Sequence, residues 1–266
     1  MVWQPTEFRR FEASFPTSTS PSLIVTDAGR AYLKGLGNPE GPHALASEWL
    51  ATNLAKWIGL RTFDFAIMQV RDGDEIEMRN GRLVQPGPAF VARAEHGNPW
   101  GGSAEELHHL INPQDISCLI VFDTWVRNRD RFVPGNRCHY DNVFLSSEHT
   151  QGVARELVVM DHTHAFSNNN ELTGRLHQMA LTQDATIYGA FPEFSTSWSE
   201  ERTVEALHKL STCSEAQVAP FIDQLPNEWQ VDGAVRVALK NFVIDRARWL
   251  AAQQPSAFRP QYRKAD

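Results

Sequence analysis

The sequence predicts an α+β protein, with strands gathered in the first part of the chain and helices dominating the rest. Before residue 95, short β-branched and aromatic runs alternate with turn residues. Ser22–Thr26 and Arg30–Leu36 flank the turn Asp27-Ala28-Gly29, and Phe63–Val70, Glu75–Met78 and Pro88–Arg93 follow. Beyond that point apolar residues recur at helical spacing over Pro113–Arg127, Glu200–Leu210, Ser214–Gln224 and about Gly233–Ala252. Two short apolar runs, Val143–Leu145 and Leu157–Met160, interrupt the helical part as strands.

In chain order, residues 1–21 read as a polar, Pro-punctuated lead-in ending in the hydroxyl cluster Thr17-Ser18-Thr19-Ser20. The hairpin after it places Lys34 on its second strand. Leu45, Trp49, Leu54, Ala55 and Ile58 mark a helix from Ala44 to Ile58, closed by Gly59, with Glu48 near its start. Glu105–Leu110 reads as a further helix. The loop His96–Gly102 contains Trp100, the tryptophan expected to be exposed. We expect a strand-rich unit over residues 1–95, a mainly helical unit over 96–254 and a polar tail over 255–266, with the changeover near Phe90–Ser103.

The chain has 266 residues, 42% hydrophobic and 21% charged, enough for a sizeable core in one large domain or two lobes. A net charge of −7 argues against a nucleic-acid or anionic-membrane partner. The three cysteines form no CxxC pair and fit a reducing compartment. The first residues lack the apolar region of a signal peptide, and no apolar run reaches spanning length, so a cytoplasmic protein is expected.

The chemistry concentrates between Phe122 and Phe166. Asp130 lies in F-D-T-W-V-R-N-R-D-R at the end of an apolar helix; Asn142 precedes the run Val143–Leu145; Asp161 follows Leu157–Met160. Phosphoryl transfer needs such a set: one carboxylate to orient an attacking hydroxyl, and an amide and a second carboxylate to hold Mg²⁺ against nucleotide phosphates. A lysine strand followed by a glutamate helix, here Lys34 and Glu48, supplies the ion pair that the same chemistry uses on the phosphates. Each residue also has a plainer reading. Lys34 suits a solvated edge strand, Glu48 suits the start of a helix dipole, and Asp130 with Arg131 suits a helix end with a surface ion pair. His139, His162 and His164 hint at a metal cluster, but transition-metal sites draw three or more ligands set by geometry. Asn136 is nearer Asp130 than Asn142 but stands in turn chemistry, so Asn142 is the expected ligand, with Phe132–His139 as an inserted bulge.

Taken together, these segments resemble the HipA-like kinases, in particular a shorter bacterial branch without the N-terminal subdomain. The resemblance runs from about Ser22 to Leu250. It rests on the hairpin ending at Lys34, A-L-A-S-E-W-L-A around Glu48, N-R-D-R, D-N-V-F-L, V-M-D-H-T-H-A-F and the L-P-N-E-W segment before the last helix. It implies a bilobal protein-kinase-like fold with a small β-rich N-lobe and a mainly helical C-lobe, and an enzyme using ATP and Mg²⁺. Lys34 would contact the nucleotide phosphates, Glu48 would orient it, and Asp130 would be the catalytic aspartate. Asn142 and Asp161 would hold Mg²⁺. Ser18, Thr19 and Ser20 would cover the phosphates, and Phe90 and Ala92 would line the adenine slot.

Three departures accompany the resemblance. The phosphate loop has no glycine, Thr163 stands where kinases usually carry glycine, and Asp130 and Asn142 are twelve residues apart, longer than usual. The expected function is a Ser/Thr protein kinase acting on a cytoplasmic protein. A small-molecule kinase on the same fold and a catalytically silent nucleotide-binding scaffold are the alternatives.

Overall fold

The computed structural model describes residues 3–133, 135, 138–166 and 171–261. Five strands form one antiparallel sheet: β1 (Phe8–Ser14), β2 (Ser22–Thr26), β3 (Gly29–Leu36), β4 (Phe65–Val70) and β5 (Gln85–Arg93). Their order is β1-β2-β3-β5-β4, so β3 and its Lys34 lie in the middle of the sheet rather than at an edge. The β2–β3 hairpin pairs Thr26 with Gly29, which takes the left-handed conformation a tight turn requires (φ 107).

Strand β1 lies within the stretch expected to be a polar lead-in. Its FRRFEAS carries three charges, it pairs along one side only, and two register shifts bend it. Conversely, Glu75–Met78 is not a strand. Only Glu77 bridges to Leu83, and Ile76 and Met78 drop into the apolar layer under the sheet as the chain turns from β4 to β5.

Helix α1 (Pro42–Ile58) begins with a proline in its first turn, where no N–H is missed, and ends at Gly59 (φ 106), whose N–H caps Ala55 and Lys56. It is buried along most of its length because it is covered on two sides. It meets β3 and β5 on one side and helices of the second half on the other. The second half holds α2 (Ala104–Leu107), α3 (Asp115–Val126), α4 (Met179–Thr182), α5 (Glu200–Ser211), α6 (Glu215–Asp223) and α7 (Gly233–Ala251), of which α3, α5 and α6 pack on α1. The helix expected over Glu105–Leu110 is a single turn, capped by a reciprocal Ser103–Glu106 box. A second sheet of β6 (Gly97–Pro99), β7 (Val143–Ser146) and β8 (Glu156–Val159) runs β6-β7-β8 and faces the first across a cleft.

One apolar core joins α1 to α3, α5, α6 and α7, and Trp125 sits at its centre, donating from Nε1 to the Val243 carbonyl. Trp100, expected to be exposed, is 1% exposed. It packs against Tyr140, Phe191 and Phe194 and donates to the Ser103 carbonyl. The architecture is α+β, with an antiparallel sheet in its N-terminal part and helices in its C-terminal part. Among the described residues no helix is long and apolar enough to cross a membrane, and the three cysteines are unpaired.

Candidate active site

Between the two sheets lies a cavity of about 300 Å³. Its walls are mostly apolar and aromatic, with Phe90 and Ala92 from β5, Phe65 from β4 and Phe144 from β7. Lys34, Glu48, Asn142 and Asp161 also line it. An apolar slot with a few convergent charges is the usual form of a small-molecule site.

Lys34 is 9% exposed and Glu48 3%. The Lys34 Nζ lies 2.7 Å from Glu48 Oε2 and 2.9 Å from Asp161 Oδ1. Burial alone would lower the Lys34 pKa, but the two carboxylates outweigh it and raise it above its ordinary value, so the ammonium stays charged. Burial also pushes Asp161 upward, and here Lys34 and the Thr163 hydroxyl outweigh it, holding the carboxyl well below the usual range. Glu48 moves the other way, raised by burial against the pull of Lys34. Of the two carboxylates on Lys34, Asp161 therefore carries the firmer charge. Thr163 donates from Oγ1 to Asp161 Oδ1 at 3.0 Å and so orients the carboxylate. Asp161 itself takes a left-handed backbone conformation (φ 57).

The second group is built on the end of α3. Arg127 turns left-handed (φ 51) and stops the helix, sending Asn128–Arg131 back beneath it. Asn142 donates from Nδ2 to Asp130 Oδ2 at 3.1 Å, which turns its amide oxygen away from that carboxylate. His139 lies 3.8 Å from Asp130 and 3.9 Å from Asp141. Phe132 bridges to Cys138 in antiparallel sense. Asn136 lies outside the described residues.

The hydroxyl cluster is placed less openly than its sequence suggests. Thr19 and Ser20 are buried, and the Ser20 hydroxyl accepts the Arg79 N–H at 2.7 Å. Ser18 Oγ lies 3.4 Å from His164 Nε2, linking this loop to the segment after Asp161. From this loop Phe15, Thr17 and Pro21 line the cavity, and Ser18, Thr19 and Ser20 do not. With no glycine present, Ser20 takes the positive φ of 49° that the turn needs.

Sequence reasoning missed the most buried charges of the site. Arg131, read as a surface ion-pair partner, is 0% exposed and donates from Nε to Asp123 Oδ2 at 2.7 Å. Burial pushes the Asp123 carboxyl up to about 6 against the lowering by Arg131 and Asn128. His162 is buried too. Burial and the neighbouring Arg131 guanidinium hold its pKa well below the ordinary histidine value, so the imidazole is neutral. Its backbone N–H donates to Glu48 Oε2 at 3.0 Å, which ties the Asp161 segment to α1. A charged residue every few positions in N-R-D-R gave no local sign of which one turns inward.

Among the described residues no three His, Cys, Asp or Glu side chains gather as a self-sufficient metal site. Asn142 and Asp161 offer hard oxygens of the kind Mg²⁺ prefers, and a phosphate-bound Mg²⁺ needs only one or two protein ligands. The residues present therefore fit such an ion beside a bound nucleotide.

A two-sheet cleft with this lysine, glutamate, asparagine and aspartate arrangement defines a kinase of the bilobal class. The family model of HipA-like kinases matches residues 11–260, and the chain belongs to that family. The crystal structure of the Helicobacter pylori proinflammatory kinase CtkA is similar in fold, with a TM-score of 0.57 at 12% identity, covering 92% of this chain and 96% of that one. No curated protein matches the chain.

Proposed function

We propose that this kinase transfers the terminal phosphoryl group of ATP, in an Mg²⁺-dependent reaction, to a serine or threonine hydroxyl of a protein. The observation that carries the reading is Lys34 held at 2.7 Å from Glu48 and 2.9 Å from Asp161 on the wall of an apolar cavity. A fixed, charged ammonium there suits nucleotide phosphates, and the aromatic walls suit a base. Phe90 and Ala92 would flank that base, and Thr17 would approach the phosphates beside Ser18–Ser20. Asn142 and Asp161 would hold Mg²⁺, which when bound neutralises charge developing on the phosphate oxygens. Asp130, its carboxylate oriented by the Asn142 amide, would accept the proton of the attacking hydroxyl.

The test is thermal unfolding with and without Mg²⁺-ATP, together with phosphoryl transfer into a proteome followed by site mapping. Ligand binding to the folded state raises the melting temperature by mass action. Asp161→Ala should lose most of that rise, and Asp130→Ala should keep it while losing transfer. Wild-type binding of Mg²⁺-ATP by Asp161→Ala would overturn the metal assignment. Label found only in small molecules would overturn the protein acceptor.

A further inference from the structure

We propose that Arg131 is a positioning residue for the metal, its guanidinium setting the spacing between Asn142 and Asp161. The proposal rests on the reading of those two residues as the Mg²⁺ pair. Strands β7 and β8 are paired directly, and the last pair of the ladder toward the site is Val143 with Val159. The next residues outward are Asn142 and Met160, and Asp161 follows at once. The two metal-bearing chain ends thus lie just past the point where the sheet stops holding them together.

One side chain takes over there. Arg131 donates from Nη1 to the Asn142 carbonyl and from Nη2 to the Met160 carbonyl at 3.1 Å. The same Nη2 lies 3.3 Å from His162 Nδ1, on the far side of Asp161. The fork is itself anchored, because Nε donates to Asp123 Oδ2 on α3 and Asn128 Nδ2 holds the other oxygen of that carboxylate at 3.2 Å. A guanidinium is planar, so its nitrogens keep a fixed separation, and bonds to both carbonyls transmit that separation to the two backbones. An ammonium is a single point and cannot do this.

A purely stabilising role explains the arrangement less well. Burying an ion pair costs desolvation that its attraction barely offsets, and apolar residues of the same volume would stabilise a core equally. The charge is placed instead at the one point where two ligand-bearing ends need a common ruler, and metal ligands bind well only when held within about 0.5 Å of the right geometry. Groups that orient metal ligands in this way typically change metal affinity by about 10- to 100-fold when altered.

The experiment uses the full chain with a non-hydrolysable ATP analogue and Mn²⁺, whose free form is read by electron paramagnetic resonance. Analogue affinity is measured separately in EDTA. Arg131→Lys should weaken Mn²⁺ binding about 10- to 100-fold and leave metal-free analogue binding within about twofold of wild type. A structural role alone would lower the melting temperature and leave the metal-dependent part unchanged, and that result overturns the proposal. If Arg131→Lys lacks a cooperative unfolding transition, Asp123→Asn decides. It removes the charge that anchors the fork and the second acceptor oxygen that Asn128 uses, and should weaken Mn²⁺ binding several-fold; unchanged affinity overturns the role. Asn142→Ala and Asp161→Ala report on the site itself. Wild-type Mn²⁺ affinity in both removes the metal pair and this proposal together. Loss in both beside an unaffected Arg131→Lys removes the role of Arg131 alone.

Discussion

Lys34 and Asp161 stand 127 positions apart in the chain, yet the ammonium of one lies 2.9 Å from the carboxylate of the other. With Glu48 on its other side, Lys34 joins the central strand of the first sheet, α1 and the segment after β8 in one contact set. Lys34→Met should reduce phosphoryl transfer by about 10²-fold or more, the cost of removing a preorganised charge from the site. It also leaves Glu48 buried without its cation, so stability should fall by about 3 kcal/mol. Glu48→Gln keeps an acceptor for the His162 N–H and leaves Lys34 with Asp161, so its stability loss should stay near 1 kcal/mol. Chemical denaturation of both variants checks the ranking, and equal losses would contradict it.

Asp184 gives a pH dependence. Burial raises its pKa, but the Thr186 N–H, the Tyr188 hydroxyl and Arg127 outweigh that and hold it at about 2, against an ordinary 3.8. A carboxyl whose pKa is depressed on folding adds stability that is complete above pH 3.8 and is lost as pH falls toward about 2. With solvent screening at this partly exposed site, the contribution should be about 1 kcal/mol. Asp184→Asn should therefore be less stable than the parent at neutral pH, and the two should converge as pH drops through that window. Urea unfolding curves at several pH values measure the gap.

Gly97, where β6 begins, has φ 148, and a Cβ there would lie 2.3 Å from the Leu145 carbonyl oxygen. That oxygen belongs to the paired strand β7 and cannot step aside as a flexible side chain would. Gly97→Ala should cost about 2 kcal/mol or more, through strain and a weakened β6–β7 pair. Because Gly97 also lines the cavity, nucleotide affinity should fall with stability. An unchanged melting temperature would contradict this account.

Trp229, just before α7, donates from Nε1 to the Pro88 carbonyl of β5 at 2.9 Å. It ties the last helical segment to the first sheet. Trp229→Phe should lose about 1 kcal/mol for the hydrogen bond, and Trp229→Ala about 3–5 kcal/mol for the volume removed as well. Thermal or denaturant unfolding separates the two.

The fold was legible where local pattern and tertiary environment agree. The β2–β3 hairpin has turn chemistry at Asp27–Gly29, and α1, α3 and α7 have apolar residues at helical spacing, so their existence and order could be read directly. β1 was not legible, because none of its residues is fully buried and its pairing depends on β2. Glu75–Met78 alternates as a strand does, yet its apolar residues serve as plugs under the sheet without a partner strand along their length. In the site, Lys34, Glu48, Asn142 and Asp161 were named from order and spacing, and they line one cavity. Asp123 and Arg131 were not seen, since nothing near them in sequence tells a buried ion pair from an exposed one. Their burial is decided by α3 and by the ends of β7 and β8, which meet only in the folded chain.

Helix α1 is walled in on both sides, with the Trp49 indole N–H bonded to the Phe221 carbonyl of α6 and Glu48 one residue before it. Withdrawing Glu48 from Lys34 would pull Trp49 off α6 and expose the seam between the two halves of the molecule. The Lys34–Glu48 contact is thus built on a helix whose next residue is already committed to α6, so the ion pair and the packing of the two halves share one support.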